Sequence, residues 1–236
     1  MNAKRNLYLI PSTLGDTPAQ QVLPSPNFDI IRSLDHFVVE ELRTARRFLV
    51  RCGYAKSIDS VQFYLLNEHT PEQEVPAFFS AAGYGNMGLI SEAGLPAVAD
   101  PGSVLVREAY KLDYKVIPLV GPSSIMLALM ASGLSGQNFA FNGYLPVKNP
   151  ERASRIRFLE KRSESEMQSQ IFIETPYRNH HLIETLLEVC KPMTRLCIAA
   201  NITLENEWIC TKRIQEWKMQ PPPDLKKQPA VFILQS

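Results

Sequence analysis

Five short apolar runs separated by helix-like stretches fill the first half of the chain and leave few folds open to it. Asn6–Ile10, His36–Glu40, Val61–Leu66, Met87–Ser91 and Lys115–Val120 are rich in branched and aromatic residues, as buried strands are. Between them, Glu41–Cys52 and Ser103–Leu112 carry helical periodicity, and Gly53 follows the first as a C-terminal cap. Strands alternating with helices build βαβ units, so the expected architecture is α/β with a parallel sheet covered on both faces. Ligands of such sheets settle beyond the carboxyl ends of the strands. Those ends fall at Pro11–Asp16, Glu40–Arg43, Asn67–Thr70, Ser91–Gly102 and Gly121–Ser124, and most residues with chemistry to offer lie in one of them.

The rhythm then changes. Ile125–Ser132 reads as a helix, Phe139–Leu145 as a strand, Glu151–Arg162 as a charged helix and Ser163–Gln170 as a polar loop. A strand (Ile171–Glu174), a helix (Tyr177–Val189) and a strand (Leu196–Asn201) follow. The last two strands, near Glu207–Thr211 and Ala230–Leu234, are joined by a turn at Pro221-Pro222-Pro223. Consecutive strands without a helix between them predict a mixed or antiparallel sheet. The expected organisation is therefore two α/β domains, 1–119 with a parallel sheet and 120–236 with a mixed one.

A formal net charge of +1 argues for no nucleic-acid or membrane partner globally, so any polyanion must be met by a local patch. The four cysteines form no C-x-x-C pair, and no histidine stands at zinc-finger spacing. They read as buried thiols in a reducing compartment rather than disulfides or a metal site. The apolar run after the basic Met1–Arg5 stops at Pro11, too short for a signal-peptide core, and no later run approaches the length of a membrane span. A cytoplasmic protein with no metal and no membrane partner is expected.

Gly88–Gly102 begins as a buried strand and ends in a loop rich in glycine and proline. Gly94 and Gly102 permit close backbone approach to a ligand, while Pro96 and Pro101 stiffen the loop. An ordinary strand-to-helix connection, with Asp100 or Ser103 as helix cap, accounts for these residues equally well. The loop holds neither G-x-x-x-x-G-K-[ST] nor a clean G-x-G-x-x-G, which disfavours phosphate or dinucleotide binding.

Ser91-Glu92-Ala93-Gly94-Leu95-Pro96 through Asp100-Pro101-Gly102 resembles the S-[DE]-A-G-x-P-x-x-x-D-P-G motif of the tetrapyrrole methylase superfamily. The resemblance spans nearly the whole chain and is strongest to the branch of small-subunit ribosomal RNA cytidine ribose 2′-O-methyltransferases. Glu40-Glu41-Leu42-Arg43-Thr44 is similar to that branch's E-D-T-R-H, and Asn67-Glu68-His69 to its H-D-H. Pro118–Ser124 is similar to P-L-P-G-P-[CS]-[AS], Phe141–Lys148 to F-x-G-[FY]-L-P-x-K, and Glu174–Arg178 to E-S-T-H-R. The first loop, Pro11–Asp16, departs from T-P-I-G-N-L-G-D, and Ala200–Leu204 keeps only the threonine of R-E-L-T-K.

The resemblance implies a homodimer of two-domain chains with S-adenosylmethionine folded into the cleft between the domains. On this analogy Ser91, Glu92, Ala93, Gly94 and Pro96, with Ser123 and Ser124, contact the amino-acid and ribose parts of the cofactor. Pro11 lies nearby and Thr175 beside the adenosine. The implied reaction is methyl transfer to a ribose 2′-hydroxyl of small-subunit rRNA. A glutamate at Glu40–Glu41, with Glu41 the motif position, or His69, would accept the proton, and Arg43 would clamp a phosphate. Acidic charge favouring a helix start is the structural alternative for Glu41. Arg47 and Arg51 read as solvated, and His180-His181 as structural or solvent-facing. The substrate side is expected to include Tyr144 stacking on a base, with Lys148, Arg152, Arg155 and Arg178 on phosphates. A methylase of a tetrapyrrole or other small molecule, or a weakly active RNA-associated module, fits the same scaffold.

Overall fold

In the computed structural model, residues 5–54 and 57–236 are described; of the basic stretch Met1–Arg5, only Arg5 lies among them. Contacts divide the chain into two compact units, Met1–Ser123 and Ser124–Ser236.

In the first unit the strands are β1 (Asn6–Ile10), β2 (His36–Val39), β3 (Gln62–Leu65), β4 (Met87–Ile90) and β5 (Lys115–Pro118). They pair in the order β3-β2-β4-β1-β5, every pair parallel. Each starts within one residue of its expected position. Their side chains alternate between two apolar layers, as a period of two requires. Ile10, Phe37, Val39 and Ile90 pack on one face with Phe28, Ile31, Phe48 and Leu49 of α2 (Ser25–Ser33) and α3 (Leu42–Arg51), which follow the one-turn α1 (Ala19–Val22). Leu7, Val38, Met87 and Leu89 pack on the other with Val75, Phe79, Leu105 and Ala109 of α4 (Val75–Ala81) and α5 (Gly102–Lys111). Both faces are covered, which explains why the strands read as unbroken apolar runs. α2 and α4 carry Pro26 and Pro76 in their first turns, where the missing N–H costs nothing; the prolines hide both helices from a reading by propensity.

The second unit holds β6 (Phe139–Tyr144), β7 (Ser169–Glu174), β8 (Arg195–Ala200), β9 (Trp208–Arg213) and β10 (Ala230–Gln235), in the order β6-β7-β10-β8-β9. Only β6 and β7 run parallel, so the sheet is mixed, as expected. The last strand lies at its centre, and Phe232 stacks on Phe172 with ring centroids 5.9 Å apart. The helices are α6 (Ser124–Ser132), α7 (Glu151–Glu166), α8 (Asn179–Val189) and α9 (Ile214–Met219).

Two expectations fail here. Ser163–Gln170 is not a loop: α7 continues through Glu166, turns at Met167 in the left-handed conformation (φ 50), and β7 begins at Ser169. Of the polar residues that suggested a loop, Ser163, Gln168, Ser169 and Gln170 are buried. Ser163 Oγ accepts from Ser236 N at 3.0 Å, and Gln170 Nε2 donates to Gln168 Oε1 at 2.9 Å. The link between β9 and β10 is more than a proline turn, because α9 stands within it. Trp217 of α9 is buried and donates from Nε1 to Leu196 O at 2.9 Å. Six residues are too few to display a helical period.

Among the described residues, no helix is long and apolar enough to cross a membrane, and no group of three His, Cys, Asp or Glu is arranged to hold a metal. Burial pushes the Cys52 thiol up to about 12 and that of Cys197 up to about 11, so neither is a reactive thiolate.

Candidate active site

Three loops meet at the carboxyl edge of the parallel sheet. The one after β1 is tied to the one after β4 by Ser12 N, which donates to Gly94 O at 2.9 Å. Gly94 has φ +76, and a Cβ there would stand 3.1 Å from Leu14 Cδ2 and 3.3 Å from Pro122 O. The loop after β5 presses harder still. A Cβ on Gly121 would lie 2.2 Å from Pro11 Cβ and 2.5 Å from its Cγ, so only glycine allows the two segments to touch. Pro11, Ser12, Thr13 and Ser91 are buried at this junction. Among the described residues, the Ser12 hydroxyl finds no hydrogen-bond partner.

After β4 the chain adopts strained backbone. Ala97 and Ala99 both have φ 64, a region that costs a side chain of order 1–3 kcal/mol unless surrounding contacts hold it. The Asp100 carboxylate does so. It accepts from Ala97 N at 2.9 and 3.0 Å and from Gly102 N at 2.7 Å. Burial raises the Asp100 pKa, opposed by these N–H bonds. Pro101 is the N-cap of α5, so Asp100, expected as a possible cap, serves instead as the clasp of the segment.

Glu40 and Glu41, adjacent in sequence, sit in opposite electrostatic environments. Glu41 is exposed and forms the N-cap of α3. Its oxygens accept from Arg43 N (2.9 Å), Thr44 N (2.7 Å) and Thr44 Oγ1 (2.7 Å). The Thr44 hydroxyl, followed by the two N–H donors, lowers its pKa. Glu40 is half-buried and, among the described residues, accepts only from Glu92 N, at 3.2 Å. Burial raises its pKa, the Glu92 N–H opposes that rise, and the Asp100 and Glu92 carboxylates add to it. Glu92 is raised as well, first by burial. Glu40, Glu41, Glu68, Glu92 and Asp100 line one hollow of about 570 Å³ together with Asn67. His69 does not line it. Its ring is exposed, 3.5 Å from Glu68 Oε1, and its backbone N donates to Asn67 Oδ1.

Glu41→Ala is expected to lower the melting temperature through loss of the cap. A depressed folded-state pKa stabilises the fold above the ordinary glutamate value, and that contribution is lost as pH falls through the depressed one. The gap between native and variant should therefore be largest near neutral pH and close in acid, as melting curves at several pH values would show.

In the second unit the arginines expected on phosphates divide. Arg152 is buried, donating from Nε to Thr185 Oγ1 (2.9 Å) and from Nη1 to Val147 O (3.0 Å). The phosphate role expected of it is withdrawn, since its guanidinium braces α7 against α8. Arg178 donates from Nε (2.9 Å) and Nη2 (2.6 Å) to the buried Glu174 Oε1, which also accepts from Thr175 N at 2.6 Å. Arg155 reaches Asn142 Oδ1 at 3.2 Å and lies over the Phe158 ring. Lys148 and Tyr144 are exposed. Ser124 opens α6, and Ser123 closes the first unit. The divergent Ala200–Leu204 segment is a turn in which Thr203 N donates to Glu207 Oε2 at 2.8 Å.

The motif match points to Glu41 rather than Glu40, and no sequence signal singles out Ser12. For Glu41 the structural alternative, an acidic residue at a helix start, is what the geometry shows, although glutamate is not a preferred N-cap type. A lone serine in a loop carries no pattern at all.

No family model matches the chain. A curated relative named "Ribosomal RNA small subunit methyltransferase I" from Buchnera aphidicola subsp. Schizaphis graminum is 34% identical over 244 residues, covering 99% of this chain and 79% of the relative. One of the same name from Vibrio cholerae serotype O1 is 29% identical over 206 residues, covering 86% and 67%. Among solved structures, the methyltransferase CobJ aligns with TM-score 0.62 at 15% identity, covering 99% of this chain and 95% of that one. The uroporphyrin-III C-methyl transferase of Thermus thermophilus, solved with S-adenyl homocysteine, aligns with TM-score 0.57 at 15% identity, covering 98% and 97%. At such identities the structures establish the fold, which is that of the tetrapyrrole methylases. The sequence relatives go further: this chain belongs to the ribosomal RNA small subunit methyltransferase I family.

Proposed function

We propose that this methyltransferase transfers a methyl group from S-adenosylmethionine to a ribose 2′-hydroxyl of small-subunit rRNA, at the carboxyl edge of its parallel sheet. The observation that carries the reading is the clasped Ser91–Gly102 segment, locked against Pro11 and Gly121 and set beside Glu40, in a chain of this family. The residues fit the cofactor's chemistry. S-adenosylmethionine is a net cation, and the adjoining hollow is lined by five carboxylates and no cation. Strained Ala97 and Ala99 are backbone of the kind that clusters at ligand clamps.

When bound, the cofactor supplies a methyl group already activated on a sulfonium. The protein contributes alignment and a proton acceptor. Ser91, Glu92, Ala93, Gly94 and Pro96, with Pro11 and Ser123, form the cofactor side. Glu40 is the base: it directly follows strand β2, is half-buried, and has an oxygen that no donor among the described residues engages. Glu41, engaged as a cap, supports α3 instead. Arg43, exposed at the start of that helix, suits a phosphate, and His69 lies beyond the hollow. Tyr144, Lys148 and Arg155 remain the second unit's candidates for RNA. The family resemblance supports a homodimer, and an rRNA substrate places the enzyme in the cytoplasm.

Calorimetry with S-adenosylhomocysteine tests the cofactor half of the reading. Saturable binding is expected; no detectable heat at millimolar ligand would remove it.

A further inference from the structure

A second cavity, of about 320 Å³, lies between the β1 loop and α3 and shares Ser91 and Glu92 with the cofactor side. That volume falls at the lower end of the roughly 300–1,000 Å³ typical of small-ligand sites. Its wall includes Ser12, Thr13, Thr44, Arg47, Phe48 and Glu92.

Arg43, Arg47 and Arg51 recur every four residues on α3 and form one exposed cationic ridge. Arg51 is tied to Asp16 at 2.5 Å. Arg47 meets no carboxylate partner among the described residues; of the acids on the wall, Asp16 is taken by Arg51 and Glu92 stands on the side shared with the hollow. Ser12, also on the wall, has a buried hydroxyl with no hydrogen-bond partner among the described residues, a polar group that a bound ligand's hydroxyl would satisfy. Glu92 lines both this cavity and the acidic hollow, so the two share a wall.

Charge sorts the occupants. A sulfonium-bearing cation is favoured among the carboxylates of the hollow and disfavoured beside Arg47, whereas a phosphodiester is favoured beside Arg47. We propose that this cavity receives the single-stranded RNA nucleotide whose ribose is methylated, with Arg47 on its backbone phosphate and Ser12 hydrogen-bonded to the sugar. The inference rests on the RNA reading above and gives it an entry point. The shared Glu92 wall, beside which Glu40 stands, then brings the ribose to the base.

The test is binding of a fluorescently labelled single-stranded RNA across a salt series, without cofactor. Arg47→Gln should weaken binding about tenfold and reduce the magnitude of the slope of log affinity against log salt by about one. Arg47→Lys should recover most of the slope. Arg46→Gln, on the same helix but stacked on Phe63, should change binding less than about twofold. S-adenosylhomocysteine binding should be untouched by all three. Native RNA affinity and slope in Arg47→Gln would overturn the proposal, as would loss of S-adenosylhomocysteine binding, which would make this the cofactor's cavity. Failure of the native protein to bind S-adenosylhomocysteine would sink the cofactor reading and leave the Arg47 contact measurable.

Discussion

Glu40→Gln should lower kcat by about 10²–10⁴-fold, the range of a positioned general base, with S-adenosylhomocysteine binding nearly unchanged. Glutamine is isosteric and can still accept from Glu92 N, so the local geometry survives and only the proton acceptor is lost. Stability should hold or rise. Because burial and the neighbouring Asp100 and Glu92 raise the Glu40 pKa, the folded state holds this proton more tightly than the unfolded chain. Its contribution favours folding at low pH and fades as pH rises through the raised value, so the ionised carboxylate is a liability at neutrality. Turnover has the opposite dependence. It needs the carboxylate, so kcat should climb with pH through a value above the ordinary glutamate range, and the Gln variant should lack that limb. Turnover within twofold of native would remove Glu40 as the base.

The second large effect is expected at Gly121→Ala. The new methyl would stand 2.2 Å from Pro11 Cβ, 2.5 Å from its Cγ and 3.1 Å from Leu23 Cδ2. A proline ring cannot rotate aside, so one of the two loops must move. Overpacking of this kind costs about 1–3 kcal/mol, enough to lower the melting temperature by several degrees. The shift should also strain the Ser12 N to Gly94 O bond and loosen the clasped segment, lowering S-adenosylhomocysteine affinity tenfold or more. Gly136→Ala is the control, since a Cβ there meets nothing within 4 Å and its φ is ordinary. Melting and calorimetry on both variants decide it; native values for Gly121→Ala would show that the loops are not locked together.

The parallel sheet was legible because burial on both faces writes each strand as a run of branched residues, as in Phe37-Val38-Val39. α3 was legible because its cationic and apolar faces alternate cleanly. α7 was cut short because Ser163 and its neighbours are polar yet satisfied by partners such as Ser236, 73 residues away. Distant partners also decided Arg152, whose guanidinium meets Thr185 of another helix. The cofactor segment was visible through its motif, while the functions of its residues depend on backbone angles that residue names do not encode. The difference between Glu40 and Glu41 is of that kind: extended backbone at Glu41 (φ −142, ψ 126) turns its carboxylate back onto α3 as a cap, a role Glu40 does not share.

Ribose methylation of small-subunit rRNA is best tested by incubating the purified protein with methyl-tritiated S-adenosylmethionine and small ribosomal subunits from cells lacking this gene. After alkaline hydrolysis the label should appear in a single alkali-stable dinucleotide carrying a 2′-O-methyl ribose. Label in a base, or none in the RNA, would contradict it.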